Sequence, residues 1–84
     1  MLKKNKIKLI FCTSKNSWIV KYLNNFSKEL KKKYLVELIY SYKSIKKDND
    51  ITFYLGYDKL VDDQYLSLSK INLVVHESDL PKGK

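Results

Sequence analysis

Short apolar runs alternate with segments of helical period along this chain. Residues 7–12 (Ile-Lys-Leu-Ile-Phe-Cys) are β-rich and almost continuously apolar, the pattern of a strand covered on both faces. Polar residues 13–16 follow as a loop, with Asn16 or Ser17 available as a helix N-cap. From residue 18 to 33 the period lengthens. Ile19, Leu23, Phe26 and Leu30 recur at steps of four, three and four, which predicts one apolar helical face. Lys31, Lys32 and Lys33 close its last turn, where cations oppose the helix dipole.

The second half repeats the alternation. Residues 35–40 predict a second strand, 43–47 a single helical turn and 48–50 (Asp-Asn-Asp) a polar turn. Residues 51–55 predict a third strand ended by Gly56. Residues 58–68 predict a short helix with Leu60, Val61, Tyr65 and Leu68 inward, and residues 72–75 a fourth strand reaching His76. Strands separated by crossovers imply an α/β fold, a parallel sheet of about four strands forming the first half of a doubly wound domain. Ligands of such sheets bind beyond the carboxyl ends of the strands. Residues 13–17, Gly56-Tyr57 and 76–84 are therefore expected on one rim, together with the sole His.

Composition narrows the classes. The charge of +8 invites a nucleic-acid reading, but all seventeen basic residues are Lys, and phosphate and base recognition favours the bidentate fork of Arg. A solvated Lys surface is the preferred reading, and a small basic nucleic-acid-binding protein is kept as an alternative. One Cys excludes an internal disulfide and a multi-Cys zinc site, and Cys12 reads as a small core side chain. Trp18 is expected to pack on the sheet at the helix start. Asp48, Asp50, Asp62 and Asp63 lack metal-ligand spacing and read as solvated charge. The apolar run 9–12 is shorter than the roughly 7–15 residues of a signal sequence, and no stretch approaches the ~20 of a membrane span. A cytoplasmic protein without membrane contact is expected. A receiver-like domain would carry an acidic cluster after the first strand, and Phe11-Cys12-Thr13 does not.

The segment with chemistry is Val74-Val75-His76-Glu77-Ser78-Asp79-Leu80-Pro81-Lys82-Gly83-Lys84. A strand delivers an imidazole suited to proton transfer near neutral pH, and Pro81 and Gly83 shape the loop behind it. His76-x-Ser78-x-Leu80-Pro81 resembles the His-x-Ser-x-Leu-Pro signature of the formyltransferase family, which includes methionyl-tRNA formyltransferase and sugar N-formyltransferases. Asn16-Ser17-Trp18 is similar to a bacterial branch of that family. The resemblance implies a Rossmann-like fold and transfer of a formyl group from 10-formyltetrahydrofolate to a primary amine, an amino sugar or aminoacyl-tRNA. It implies His76 as catalytic base or oxyanion stabiliser, and Ser78, Asp79, Leu80 and Pro81 as the folate-binding loop. The family usually places an Asn two residues before the His, where this chain has Val74. Asn72, two residues further back on the same strand face, is a candidate support. The family's catalytic Asp lies downstream of the histidine loop, so residues 1–84 are expected to be a partial, inactive N-terminal portion of the domain. A non-catalytic ligand-binding or interaction module of the same fold is the principal alternative.

Overall fold

The computed structural model describes residues 6–57 and 59–75. Four strands, β1 (Lys8–Thr13), β2 (Leu35–Ile39), β3 (Asn49–Leu55) and β4 (Ser69–Val75), form one sheet in the order β2-β1-β3-β4. Every pairing is parallel. The α/β class and the four parallel strands agree with the sequence pattern. β1 lies in the middle and is buried from Leu9 to Thr13, which is why it reads as an unbroken apolar run.

Side chains alternate between the two sheet faces, and each face has its own cover. Helix α1 (Val20–Leu30) lies on the Phe11 side, where Phe26 meets the Phe11 ring edge-on at 6.2 Å and Leu23 is buried. Phe53 stacks on Phe11 within the sheet at 5.1 Å. The opposite side holds the main core of Ile10, Cys12, Ile39, Ile45, Tyr54 and Tyr57. Tyr42, Val61, Leu66 and Leu68 pack around it, brought by a 3₁₀ turn (Tyr42–Ser44) and the four-residue helix α2 (Asp63–Leu66). The chain moves one way from β1 to β2 and the other way thereafter, so the covers fall on opposite faces.

Several expectations need correction. α1 is shorter than residues 18–33, and Ile19, not Asn16 or Ser17, occupies its N-cap position. Ser17 instead builds the entry turn: its Oγ accepts from Ile19 N at 3.3 Å and its carbonyl from Val20 N at 3.2 Å. The helix expected over 58–68 contracts to α2, and Leu60 is 93% exposed. Trp18 is half exposed and meets Tyr22 edge-on at 5.9 Å, so it stands on the helix flank and not on the sheet. Asp48 takes φ 67°, a left-handed conformation that Asp tolerates, and directs the chain into β3 two residues early. β4 likewise begins three residues early, at Ser69.

Asp50 is not merely solvated. Its carboxylate accepts from the Lys8 backbone N–H at 2.8 Å and pairs with Lys70 at 3.3 Å, tying the starts of β1, β3 and β4 together. These donors hold its carboxyl below the ordinary Asp range. Between β3 and β4, Thr52 Oγ1 and Ser69 Oγ share a 2.5 Å hydrogen bond, and Asn49 N donates to Leu68 O at 3.1 Å.

Candidate functional site

The topology marks one edge of the sheet. The direction of travel reverses between β1 and β3, the position at whose carboxyl edge ligands of such sheets generally bind. Side-chain hydrogen bonds join the two loops across that edge. Thr13 Oγ1 donates to Leu55 O at 2.6 Å and Ser14 Oγ to Gly56 O at 3.4 Å. Gly56 turns the chain at φ 59°, and its N–H donates to Val75 O at 2.9 Å. The ends of β1, β3 and β4 therefore lie on one rim, as the sequence pattern implied for residues 13–17 and Gly56-Tyr57.

β4 is in register with β3 to its last residue, Val75 opposite Leu55. His76, Ser78, Asp79, Leu80 and Pro81 lie outside the described residues. Asn72 and Val74 are described, and both project to the Tyr54 side of the sheet. Asn72 donates Nδ2–H to Leu66 O at 2.8 Å, which commits its amide to holding the end of α2. Its Oδ1 is buried and has no hydrogen-bond partner among the described residues. Asn72 is thus a structural tie below the rim, with one acceptor left over. Val74 is 54% exposed and lines a pocket of about 280 Å³ with Tyr54, Tyr57, Leu60, Val61 and Leu66.

Behind that pocket is a cluster that sequence reasoning missed. Tyr57 is buried, its ring 6.0 Å from Tyr54 and 6.5 Å from Tyr42, and Tyr42 in turn meets Tyr65 at 5.0 Å. The Tyr57 hydroxyl accepts from Tyr42 N at 3.0 Å, pinning the β2–β3 crossover to the rim. Cys12 lies in this cluster. Burial pushes its thiol up to about 12, although a hydrogen bond with Tyr57 pulls the other way. A thiol so protonated is a core group and not a nucleophile at neutral pH. Burial also raises Tyr54 to about 12, with further contributions from Cys12 and Tyr57, and raises Tyr57. The signal lay in the density of tyrosines, but no short spacing links Tyr42, Tyr54, Tyr57 and Tyr65.

Among the described residues no group of His, Cys, Asp and Glu could hold a metal ion, and no helix is long and apolar enough to cross a membrane. Comparison with known protein families, with curated proteins and with solved structures finds no match in any of the three.

Proposed function

We propose that this chain is a formyltransferase-like domain whose histidine loop binds a formyl-folate at the carboxyl edge of the sheet. The observation that carries the reading is His76-x-Ser78-x-Leu80-Pro81 placed directly after a parallel strand that is still paired at Val75. The reversal of travel between β1 and β3, with Val75 on the same carboxyl edge, supports it. The pocket beside Val74, walled by Tyr54, Tyr57 and aliphatic side chains, suits a flat heteroaromatic ring. A bound 10-formyltetrahydrofolate supplies the formyl group. In the family reaction the acceptor amine nitrogen bonds to the formyl carbon as the carbon–N10 bond breaks, and the amine proton replaces the formyl group on N10. His76 is assigned the relay of that proton. Ser78, Asp79, Leu80 and Pro81 are assigned to the folate, and the acceptor is an amino sugar or aminoacyl-tRNA.

Val74 favours a second reading, in which the same loop binds ligand without turning it over. The family's Asn would polarise the formyl oxygen from this position, and a valine has no donor to offer. Asn72 sits two residues deeper in the strand and already gives one of its two amide protons to Leu66 O, so it does not simply replace that donor. In this reading the chain is a folate-binding module of the same fold.

Both readings require the ligand to bind. Calorimetric titration with 5-formyltetrahydrofolate, which does not give up its formyl group readily, is expected to show one site. Leu80→Asp is expected to weaken it about tenfold or more, as the loss of an apolar contact worth ~1.4 kcal/mol would. Absence of binding by the unmodified chain would remove the proposal, whereas binding without formyl transfer to amines would select the second reading.

A further inference from the structure

Helix α1 shows the solvent two rings that its sheet-facing side does not use. Trp18, in the turn before the helix, and Tyr22, in its first turn, are each 56% exposed. They sit one helical turn apart and meet edge-on at 5.9 Å. The buried residues of α1 are Leu23 and Ser27, so Tyr22 is turned about 100° from that side.

Lysines run beside this pair. Lys21, Lys28 and Lys32 recur at steps of seven and four, which sets them on one outward stripe about 16 Å long. All three are exposed, as is Lys15 in the entry turn. The Lys21 ammonium stands 5.6 Å from the centre of the Tyr22 ring. Between residues 13 and 34 the one carboxylate is Glu29, paired with Lys32 at 3.1 Å. That pair is exposed at both ends and exchanges readily for another anion. Rings and cations therefore share one strip of the helix.

The two chemistries together narrow the partner. The lysines call for a polyanion, and Lys meets a phosphate as a point charge without reading base edges. A duplex keeps its bases stacked inside, so it would answer the lysines and leave the rings idle. An acidic peptide answers the lysines alone. A single strand carries phosphates and open base faces together, and aromatic side chains on a basic track are how such strands are held without sequence preference. We propose that this strip of α1 binds single-stranded nucleic acid, with bases stacked on Trp18 and Tyr22 and phosphates along Lys21, Lys28 and Lys32. The strip lies on the Phe11 side of the sheet and Val74 on the other, so the proposal stands independently of the folate reading.

Trp18 is the only tryptophan, so its emission reports on the strip directly. The whole chain is titrated with oligo(dT) and oligo(rU) of about twelve nucleotides, within the range of single-strand sites. Saturable quenching of Trp18 by either strand is expected, and the tighter strand identifies the source as DNA or RNA. Three phosphate contacts predict an affinity that falls about fifteen- to twentyfold between roughly 50 and 200 mM salt. Tyr22→Ala is expected to weaken binding about tenfold with an unchanged circular dichroism spectrum. Lys28→Gln is expected to flatten the salt dependence by about a third, and Lys46→Gln, in the turn before β3, to leave it unaltered. Absence of quenching at the lower salt concentration would overturn the proposal, as would Tyr22→Ala binding as tightly as the parent. Equal affinity for a duplex of the same length, or for a polyglutamate peptide, would give the strip to charge alone, with the same consequence.

Discussion

Between pH 9 and pH 12 the domain is expected to lose stability steeply, because the folded state keeps protons that the unfolded chain releases. Cys12 titrates near 9.0 and Tyr54 near 10.0 when exposed, and both are raised to about 12 in the fold, with Tyr57 raised as well. A raised pKa in the folded state means stability that is complete below the unfolded value and disappears as pH climbs towards the folded one. Each such group contributes a slope of about 1.4 kcal/mol per pH unit within its window. Urea titrations at pH 7, 9, 10 and 11 should reveal the trend. Lysine deprotonation overlaps this range, so the informative comparison is with Tyr54→Phe. The Tyr54 hydroxyl is buried without a hydrogen-bond partner among the described residues, so its removal should cost little at pH 7. Above pH 10 the variant should lose stability less steeply than the parent. Parallel pH profiles would show that the cluster is open to water.

Ile10→Ala carries the largest expected cost of any conservative truncation. Ile10 is fully buried in the central strand, among Cys12, Ile39 and Tyr54, and the sheet on both sides limits collapse around the vacated volume. Such truncations cost about 2–5 kcal/mol. A domain of this length has roughly 4–12 kcal/mol in total. The urea midpoint is therefore expected to fall by at least about a sixth, and to about half at mid-range values, with the m-value unchanged. Leu60→Ala is the matched control, since that side chain is 93% exposed and its loss should stay within about 0.5 kcal/mol. A comparable loss at both positions would contradict the assignment of the core to the Ile10 side.

The strands were legible because their apolar runs are short, β-rich and set off by polar turns. The parallel arrangement followed from the crossovers between them. The helix expected over residues 58–68 forms only at Asp63–Leu66. Leu60 and Val61 share the apolar pattern, yet Val61 packs against the core from the stretch before α2 begins at Asp63, and Leu60 is 93% exposed. Phe26 fits the helical period but is 53% exposed, since no element among the described residues covers the half-sheet beside it. Periodicity reveals which residues seek burial, not whether a second surface arrives to bury them.

The candidate site was legible in a different way. His76, Ser78, Leu80 and Pro81 stood out as residue types at a spacing, and the described structure brings the strand before them to the carboxyl edge. The amide of Asn72 proved to be engaged with Leu66, a contact no spacing could have shown. The tyrosines behind Val74 went unnoticed because an aromatic ring with a hydroxyl suits surface and core equally.

The central claim is that a formyl-folate is held beside the imidazole that follows β4. The chain has a single His, so its ring gives one resolved signal in a ¹H–¹³C spectrum. Titration with 5-formyltetrahydrofolate is expected to move the His76 ring resonance and the Val75 and Leu55 amides together, along one saturating curve, and to leave Ile71 and Leu73 unmoved. An imidazole signal that stays fixed while saturating ligand is present would contradict the account.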